Sequence, residues 1–375
     1  MNRAVILTEP LACVHAEKDH LVVQREGRTV REIPLTGLAE VVCVGPMEWT
    51  SRALWRCLRH EVRVVLMTAD GRYLGRVAGP QSRNGDLRLA QYRVVTDPKR
   101  SVEIARDIVR AKIHNQRMLV MRRQRVAKDP DIALALTRIR RIEAQLDQAE
   151  TADEVRGMEG AAAQAYFGVF GRLIQNPLFS FCGRNRRPPR DPVNAMLSFG
   201  YTVVGALLEG DVEAAGLDPA LGCLHAPAYG RPSLMLDLLE EFRPVLVDRV
   251  VLRLLNRKQL VPTDFGAPDA AVEDEDGDSD GGPDPAEVIP ALSRRADDAE
   301  PAREGARDLR GAVYLRGPGR KVFLAALLAR LRERVYDPEE QGAFELRAIM
   351  RHQVYRMARA FVDEAASYRG FRARE

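Results

Sequence analysis

The chain has 375 residues, of which 57 are Lys or Arg and 53 are Asp or Glu, so its formal net charge is only +4. Acidic residues concentrate in residues 266–308, which carry 14 acids and four arginines, while the remaining residues hold 53 basic and 39 acidic groups. No apolar run approaches the roughly 20 residues of a transmembrane helix. The apolar stretch at the N-terminus is too short for a signal peptide. The five cysteines are scattered, which fits free thiols better than a disulfide framework or a zinc site. We therefore expect a cytoplasmic protein of two or three domains with no membrane segment, whose basic body binds a polyanion such as duplex DNA or RNA.

Residues 1–84 are predicted to form a small β domain. Short apolar runs alternate with turn residues, and these runs lie at 4–7, 21–24, 41–44, 62–67 and 73–77. A single helical stretch is predicted near residues 50–60. Gly79, Pro80 and the polar residues after them indicate a linker, which we expect to extend over residues 85–100.

From residue 101 the apolar residues follow a period of 3.6, which is typical of helices. Helices are predicted near residues 101–127, 131–150, 153–175, 192–209, 233–260, 318–335 and 343–365. The helix at 192–209 has Asp191 as its N-cap, Pro192 in its first turn and Gly210 after its end. The fold class is therefore α+β, with the β domain followed by a larger all-α domain over residues 101–375.

The acidic segment 266–308 lies inside this helical domain. It has five Gly, five Pro and no aromatic residue, so it cannot bury enough apolar surface to offset the entropy of ordering it. A disordered loop is the prediction. Such a loop is either a solvated spacer or an intramolecular competitor that mimics nucleic acid and covers the basic face.

Glu159 is the first candidate for a chemical role. It lies in RGMEGAAAQAYF, where Ala162, Ala163 and Tyr166 share its helix face. A carboxylate on a face of small and apolar residues is either a packing accident near an edge or a ligand that points into a cleft. The local pattern leaves both interpretations open.

A second cluster combines His225 with the carboxylates of Asp237 and Glu240. The two acids are three residues apart on one predicted helix, so they project on the same side, and His225 lies in the loop before it. One imidazole and several carboxylates suit Mn²⁺ or Mg²⁺ better than zinc. No nucleophile elbow, P-loop or dinucleotide-binding fingerprint is present, so an enzyme of this sequence would supply metal and positioning while the substrate supplies the nucleophile.

Two groups of basic residues lie close to these acids in the sequence, and each could be a solvated surface or a track for phosphates. The first group is Arg184, Arg186, Arg187 and Arg190, which precede the 192–209 helix. The second group is Arg249, Arg253 and Arg257, spaced four residues apart on one helix face, with Lys258 beside them.

At these residues the sequence resembles a known family, the CRISPR-associated endonuclease/integrase Cas1, the catalytic subunit of spacer acquisition. The similar stretches are RGMEGAAAQAYF, RNRRPPRDPVNAMLSFGYTVV, LGCLHAPAYGRPSLMLDLLEEFRPVLVDRVVLRLLNRKQL, GAVYLRGPGRKVFL and RHQVYRMARA, with LVVQREGRTVREIPLTGLAEVVCVG and GRYLGRVAGP in the β part. They cover nearly the whole chain except 266–308, and they are closest to members of type I systems of the C or related subtypes.

The resemblance implies a metal held by Glu159, His225 and Glu240, with Asp237 as an additional acidic group. It also implies Mg²⁺ or Mn²⁺ as cofactor, and a reaction in which the 3′-hydroxyl of a protospacer duplex attacks a phosphodiester at the edge of a CRISPR repeat. The implied partners are duplex DNA, a second copy of the chain bound through the β domain, and the small protein Cas2, a dimer of which lies between two Cas1 dimers.

Two other functions remain open from the sequence. One is a metal-dependent nuclease that acts on branched DNA in repair, and the other is a DNA-binding scaffold without catalysis. The insertion at 266–308 is the main departure from the family pattern, and it leads to the hypothesis that this segment lowers nonspecific affinity for DNA.

Overall fold

The structure is a computed structural model that describes residues 3–69, 73–79, 84–185, 188–267 and 311–374. The predicted DNA-contacting residues Arg186 and Arg187 lie outside the described residues, as does nearly all of the acidic insertion predicted at 266–308. Among the residues described, no helix is both long and apolar enough to cross a membrane.

The N-terminal part contains two four-stranded sheets and one helix. Its strands are β1 (Arg3–Leu7), β2 (Cys13–Glu17), β3 (His20–Arg25), β4 (Arg28–Pro34), β5 (Leu38–Val44), β6 (Glu48–Trp49), β7 (Arg63–Met67) and β8 (Tyr73–Val77), and its helix is α1 (Ser51–Arg59). The first sheet has the order β1-β5-β7-β8, in which β1, β5 and β7 run parallel and β8 is antiparallel to β7. The second sheet has the order β4-β3-β2-β6.

The first sheet is buried on both of its faces. Val41 and Val64 point toward the second sheet and form one apolar core with it. Val42 and Val65 point the opposite way and join the core of the helical part. Because neighbouring residues of a strand face opposite sides, burial on both sides requires continuous apolar runs, which explains the uninterrupted apolar runs at 41–44 and 64–67.

The remainder of the described chain is mainly helical. Its helices are α2 (Gly85–Thr96), α3 (Pro98–Ala127), α4 (Pro130–Gln145), α5 (Ala152–Leu173), α6 (Pro192–Ala215), α7 (Ser233–Phe242), α8 (Arg249–Asn256), α9 (Gly317–Arg332) and α10 (Leu346–Val362). A π-helical segment, Arg243–Asp248, joins α7 to α8, and short 3-10 turns lie at Leu146–Gln148 and Pro262–Asp264. The predicted α+β fold class, a β region followed by a helical domain, is confirmed.

Two details of the predicted helical domain are wrong. The expected linker at 85–100 is largely helix α2, which is capped by Asn84, whose Oδ1 accepts from the Leu87 amide at 3.1 Å. The domain is also not purely helical, because it contains two antiparallel two-stranded ladders. These ladders pair β9 (Phe265–Gly266) with β10 (Tyr314–Leu315) and β11 (Arg334–Asp337) with β12 (Gly342–Glu345).

The limits of α6 test the capping signals in the sequence. Its predicted start is confirmed, because Asp191 accepts a hydrogen bond from the Asn194 amide at 2.8 Å. Its predicted end at Gly210 is wrong, since the helix continues to Ala215 and ends at Gly216, which has φ 92°. Close packing, rather than a helix end, explains the glycine at position 210. A Cβ there would lie 3.2 Å from a carboxylate oxygen of Glu40.

Buried ion pairs join the first sheet to the helices at this point. Arg63 of β7 lies 3.3 Å from Glu40 of β5 through Nε and 3.1 Å from Asp211 of α6 through Nη2. Arg347 of α10 contacts the same two acids and donates from Nη2 to Asp211 at 3.0 Å. Removing one partner of such a network leaves an uncompensated buried charge, so these four residues fix the helices against the sheet.

Candidate metal centre

Glu159, His225 and Glu240 come together around one buried lysine. Helix α3 packs against both α5 and α7, and its Lys112 forms ion pairs with Glu159 of α5 and, at 2.6 Å, with Oε2 of Glu240 of α7. His225 lies in the loop between α6 and α7 and places Nε2 3.9 Å from Oε1 of Glu240. Three residues separated by up to 81 positions in the sequence therefore occupy one site.

Asp237 lies behind His225 and fixes its ring. The Nδ1 atom of the imidazole is 2.7 Å from Oδ1 of Asp237. The same carboxylate accepts hydrogen bonds from the backbone amides of Cys223, Leu224 and His225 at 2.6, 2.9 and 2.9 Å. Both Asp237 oxygens are thus engaged, and the imidazole presents Nε2 toward Glu240. A carboxylate on the far nitrogen is the usual support of a metal-binding histidine.

The loop that carries His225 is held by contacts on both sides. Gly222 packs against α7 so closely that a Cβ would lie 2.5 Å from Oδ2 of Asp237. On the other side, Gln91 of α2 donates to the carbonyl oxygens of Asp218 and Leu221 at 2.8 and 2.9 Å. Helix α2, which lies where a linker was predicted, therefore helps to position His225, a candidate ligand.

Glu240 is a buried carboxylate surrounded by positive charge. Burial alone raises its pKa, but the cationic side chains of Arg243 and Lys112, together with His225, outweigh burial and lower the pKa to about 2. Arg243 lies one turn after Glu240 and approaches its Oε1 to 3.2 Å through Nη2. Glu240 is therefore ionised at neutral pH.

The π-helical segment after Glu240 carries a second buried acid, Asp248. The hydroxyls of Tyr166 and Tyr201 donate to its two oxygens at 2.7 and 2.5 Å. Burial raises the pKa of Asp248 to about 6, although the two tyrosine hydroxyls and Arg243 act in the opposite direction. The guanidinium carbon of Arg243 lies 4.7 Å from the centre of the Tyr201 ring. Arg243 therefore links Glu240 to Tyr201, whose hydroxyl donates to Asp248.

Comparison with known proteins shows the family to which this chain belongs. The family model described as "CRISPR associated protein Cas1" matches residues 5–274, which is well over half of the chain. The chain belongs to the Cas1 family. It is 40% identical over 275 residues to a "CRISPR-associated endonuclease Cas1 2" of Rhodospirillum rubrum, an alignment that covers 71% of this chain and 79% of the relative.

Solved structures of Cas1 proteins share the fold at lower identity. A Cas1 protein from Thermotoga maritima superposes with a TM-score of 0.74 at 20% identity, over 97% of this chain and 98% of that protein. A chain of a Cas6-RT-Cas1–Cas2 complex gives 0.74 at 22% identity and covers 98% of this chain and 36% of that one. A casposase bound to its integration product gives 0.72 at 20% identity, over 97% and 91%.

The candidate site offers the carboxylate oxygens of Glu159 and Glu240 and the Nε2 nitrogen of His225 as metal donors. As the side chains stand, the ammonium of Lys112 lies between the carboxylates, and among the described residues no three His, Cys, Asp or Glu side chains enclose a ready metal position. Oε2 of Glu240 is nevertheless buried and accepts no hydrogen bond of favourable geometry from any described residue. The carboxylates already converge on a positive charge, and oxygen and nitrogen donors of this kind suit Mg²⁺ or Mn²⁺.

The basic residues that were predicted to contact DNA differ in their exposure in this structure. Arg184 points inward and donates to Asn194 at 2.7 Å and Ser198 at 3.1 Å, whereas Arg190 is exposed. On α8 and just after it, Arg253, Arg257 and Lys258 are exposed and Arg249 is partly covered. Burial lowers the pKa of Arg249 to about 10, and the neighbouring cations Arg330 and Arg122 act in the same direction.

Sequence reasoning missed Lys112 and Arg243. Lys112 follows Ile108 by four residues and interrupts a stripe in which Ile108, Val109 and Ile113 are all fully buried. A lysine in such a stripe requires a buried acidic partner, and that pattern could have indicated it. Arg243 sits three residues after Glu240, the spacing at which opposite charges meet on a helix.

Proposed function

We propose that this Cas1-family chain is a metal-dependent DNA endonuclease and integrase that joins a 3′-hydroxyl end of a protospacer to a phosphodiester of a CRISPR repeat. The observation that carries the proposal is the convergence of Glu159, His225 and Glu240, from two helices and a loop, beside one another. This convergence supports a single reactive centre, and the sequence contains no nucleophile elbow that would supply a protein nucleophile.

In this proposal Glu159, His225 and Glu240 hold Mg²⁺ or Mn²⁺. Such an ion would stabilise charge on the attacked phosphate and activate the attacking hydroxyl. Asp237 keeps Nδ1 of His225 protonated and its Nε2 free, so it acts as a positioning residue rather than a ligand. Arg243 balances the charge of Glu240 and holds the carboxylate through its Oε1 oxygen, at 3.2 Å.

The basic residues hold the DNA backbone in this proposal. Exposed Arg257 and Lys258 offer charge to phosphates without reading sequence, and Arg190 and the predicted Arg186 and Arg187 extend the same role. Arg253 is exposed as well but pairs with Glu333 at 3.2 Å, so it must exchange this partner to bind a phosphate. Arg184 is already bonded to Asn194 and Ser198, so we assign it to the support of the loop that presents its neighbours.

The proposed assembly is a homodimer that binds Cas2, with two dimers flanking a Cas2 dimer on duplex DNA. Two structural neighbours support these partners. One is part of a Cas6-RT-Cas1–Cas2 complex, and the other is a casposase bound to its integration product. The second of these also supports strand joining over simple cleavage.

Strand transfer of a labelled protospacer into a repeat-bearing plasmid tests the proposal. The assay contains Mg²⁺ or Mn²⁺ and the Cas2 protein, and it separates joined product from cleaved product on a denaturing gel. We expect Glu159→Ala and His225→Ala to abolish joining while circular dichroism remains that of the wild type.

Glu103→Gln and His60→Ala are the matched controls, since both residues are exposed and lie outside the site. Both controls should retain joining. Full activity in Glu159→Ala or His225→Ala contradicts the site, and cleavage without any joined product favours the repair nuclease over the integrase.

A further inference from the structure

Lys112 is the only described cation that touches two of the proposed metal ligands. It lies in the middle of α3, its side chain is 6% exposed, and Nζ pairs with Oε1 of Glu159 and Oε2 of Glu240. The neighbouring residues of its helix face, Ile108 and Val109, are fully buried. The ammonium is thus desolvated, and its only ion-pair partners among the described residues are the two carboxylates.

This arrangement has a direct electrostatic consequence. Two carboxylates close together in a buried site repel each other unless a positive charge lies between them. Lys112 and Arg243 together match the charges of Glu159 and Glu240, so the site needs no metal ion to be stable. A divalent ion that entered beside the ammonium would be repelled by it.

We propose that the Lys112 ammonium holds the metal position in the free protein and leaves it when metal binds, so that Lys112 sets the affinity of the site for the ion. The inference rests on the proposed function, because it assumes that Glu159 and Glu240 bind metal. Glu159, at 24% side-chain exposure, forms the open edge of the site, and the released ammonium moves toward this edge. Lys112 is a positioning residue in this scheme.

Calorimetric titration with Mn²⁺ alone tests the first consequence. Lys112→Met keeps most of the side-chain volume and removes the charge, so it should bind Mn²⁺ at least about tenfold more tightly than the wild type. Lys112→Arg retains the charge and should not bind more tightly. Lys99→Met, at an exposed position of the same helix, should leave the affinity unchanged.

The outcomes separate the inference from the proposed function. If the wild type binds Mn²⁺ and Glu159→Ala does not, the metal site stands, and equal or weaker binding by Lys112→Met then overturns the role of Lys112. If neither the wild type nor Lys112→Met binds Mn²⁺, the proposed metal site itself fails, and the inference fails with it.

A second measurement needs no variant and remains valid if Lys112→Met does not fold. Acetylation of lysine amines in the wild-type protein, followed by mass spectrometry, reports whether Nζ of Lys112 is accessible. We expect slow labelling of Lys112 in the absence of divalent ions and at least about threefold faster labelling at saturating Mg²⁺, with Lys99 unaffected. An unchanged Lys112 rate at a Mg²⁺ concentration that saturates the site overturns the proposed displacement.

Discussion

Glu241 offers the sharpest test of how the candidate centre is supported. It lies next to Glu240 but faces the other way, toward the C-terminal segment after α10. Its carboxylate accepts hydrogen bonds from the Phe371 amide and the Gln353 amide group, both at 2.8 Å, and from the Tyr368 hydroxyl. The contact therefore fastens the end of the chain to the helix that carries Glu240.

The expected magnitude follows from the burial of this carboxyl group. Burial raises the pKa of Glu241 to about 7 from its usual value of 4.5, although the Tyr368, Phe371 and Gln353 donors lower it. The native state thus binds the proton more tightly than the unfolded chain does. The stabilisation it provides is complete below pH 4.5 and is lost as the pH rises toward 7. At about 1.4 kcal/mol for each pH unit in this interval, the loss amounts to roughly 3 kcal/mol.

Glu241→Gln removes this dependence without removing the contacts. The amide oxygen of a glutamine can accept from Phe371 and Gln353, and its NH₂ group can donate to the Tyr368 oxygen. Urea unfolding at pH 5 and pH 8 measures the effect, with Glu364→Gln as the control because Glu364 is exposed on the same C-terminal segment. We expect the free energy of unfolding of Glu241→Gln, relative to the wild type, to be about 2 to 3 kcal/mol higher at pH 8 than at pH 5. Parallel pH dependence in the two proteins would refute the reasoning.

Three further predictions concern metal and DNA. Asp237→Asn should weaken Mn²⁺ binding about 10- to 100-fold in calorimetry, because an asparagine cannot accept all four hydrogen bonds that fix the His225 loop; an unchanged affinity argues against its positioning role. Arg257→Ala should reduce the slope of log affinity against log salt for duplex DNA by about 0.9 if it contacts one phosphate, and an identical slope removes it from the interface. Deletion of residues 266–308 should raise nonspecific DNA affinity and its salt dependence, and no change in either quantity excludes electrostatic competition by the insertion.

The sequence predicted the elements whose signals are local. The α6 start was identifiable because Asp191 and Pro192 are adjacent, and the change from a β region to a helical domain was identifiable because apolar periodicity changes near residue 100. The end of α6 was not identifiable, since Gly210 is required by its packing against Glu40, a residue of the other domain. Helix α2 was missed because its packing against α3 and α10 cannot be read from the sequence, although its local cap at Asn84 could have been recognised.

The centre itself shows the same division between local and nonlocal determinants. Glu159, His225 and Glu240 were identifiable as chemical types, but their proximity depends on α3, which contributes only Lys112 and contains no candidate ligand. Of the three, Glu240 is buried, with Lys112 and Arg243 against its two oxygens, while Glu159 keeps an exposed edge. A buried, ionised Glu240 is fixed in place, so any rearrangement that admits a metal ion must occur at the side of Glu159 and Lys112. Substitution of Glu159, which is partly exposed, should therefore alter metal affinity with little loss of stability, whereas substitution of Lys112 or of residues around Glu240 leaves a buried charge uncompensated and should also reduce stability.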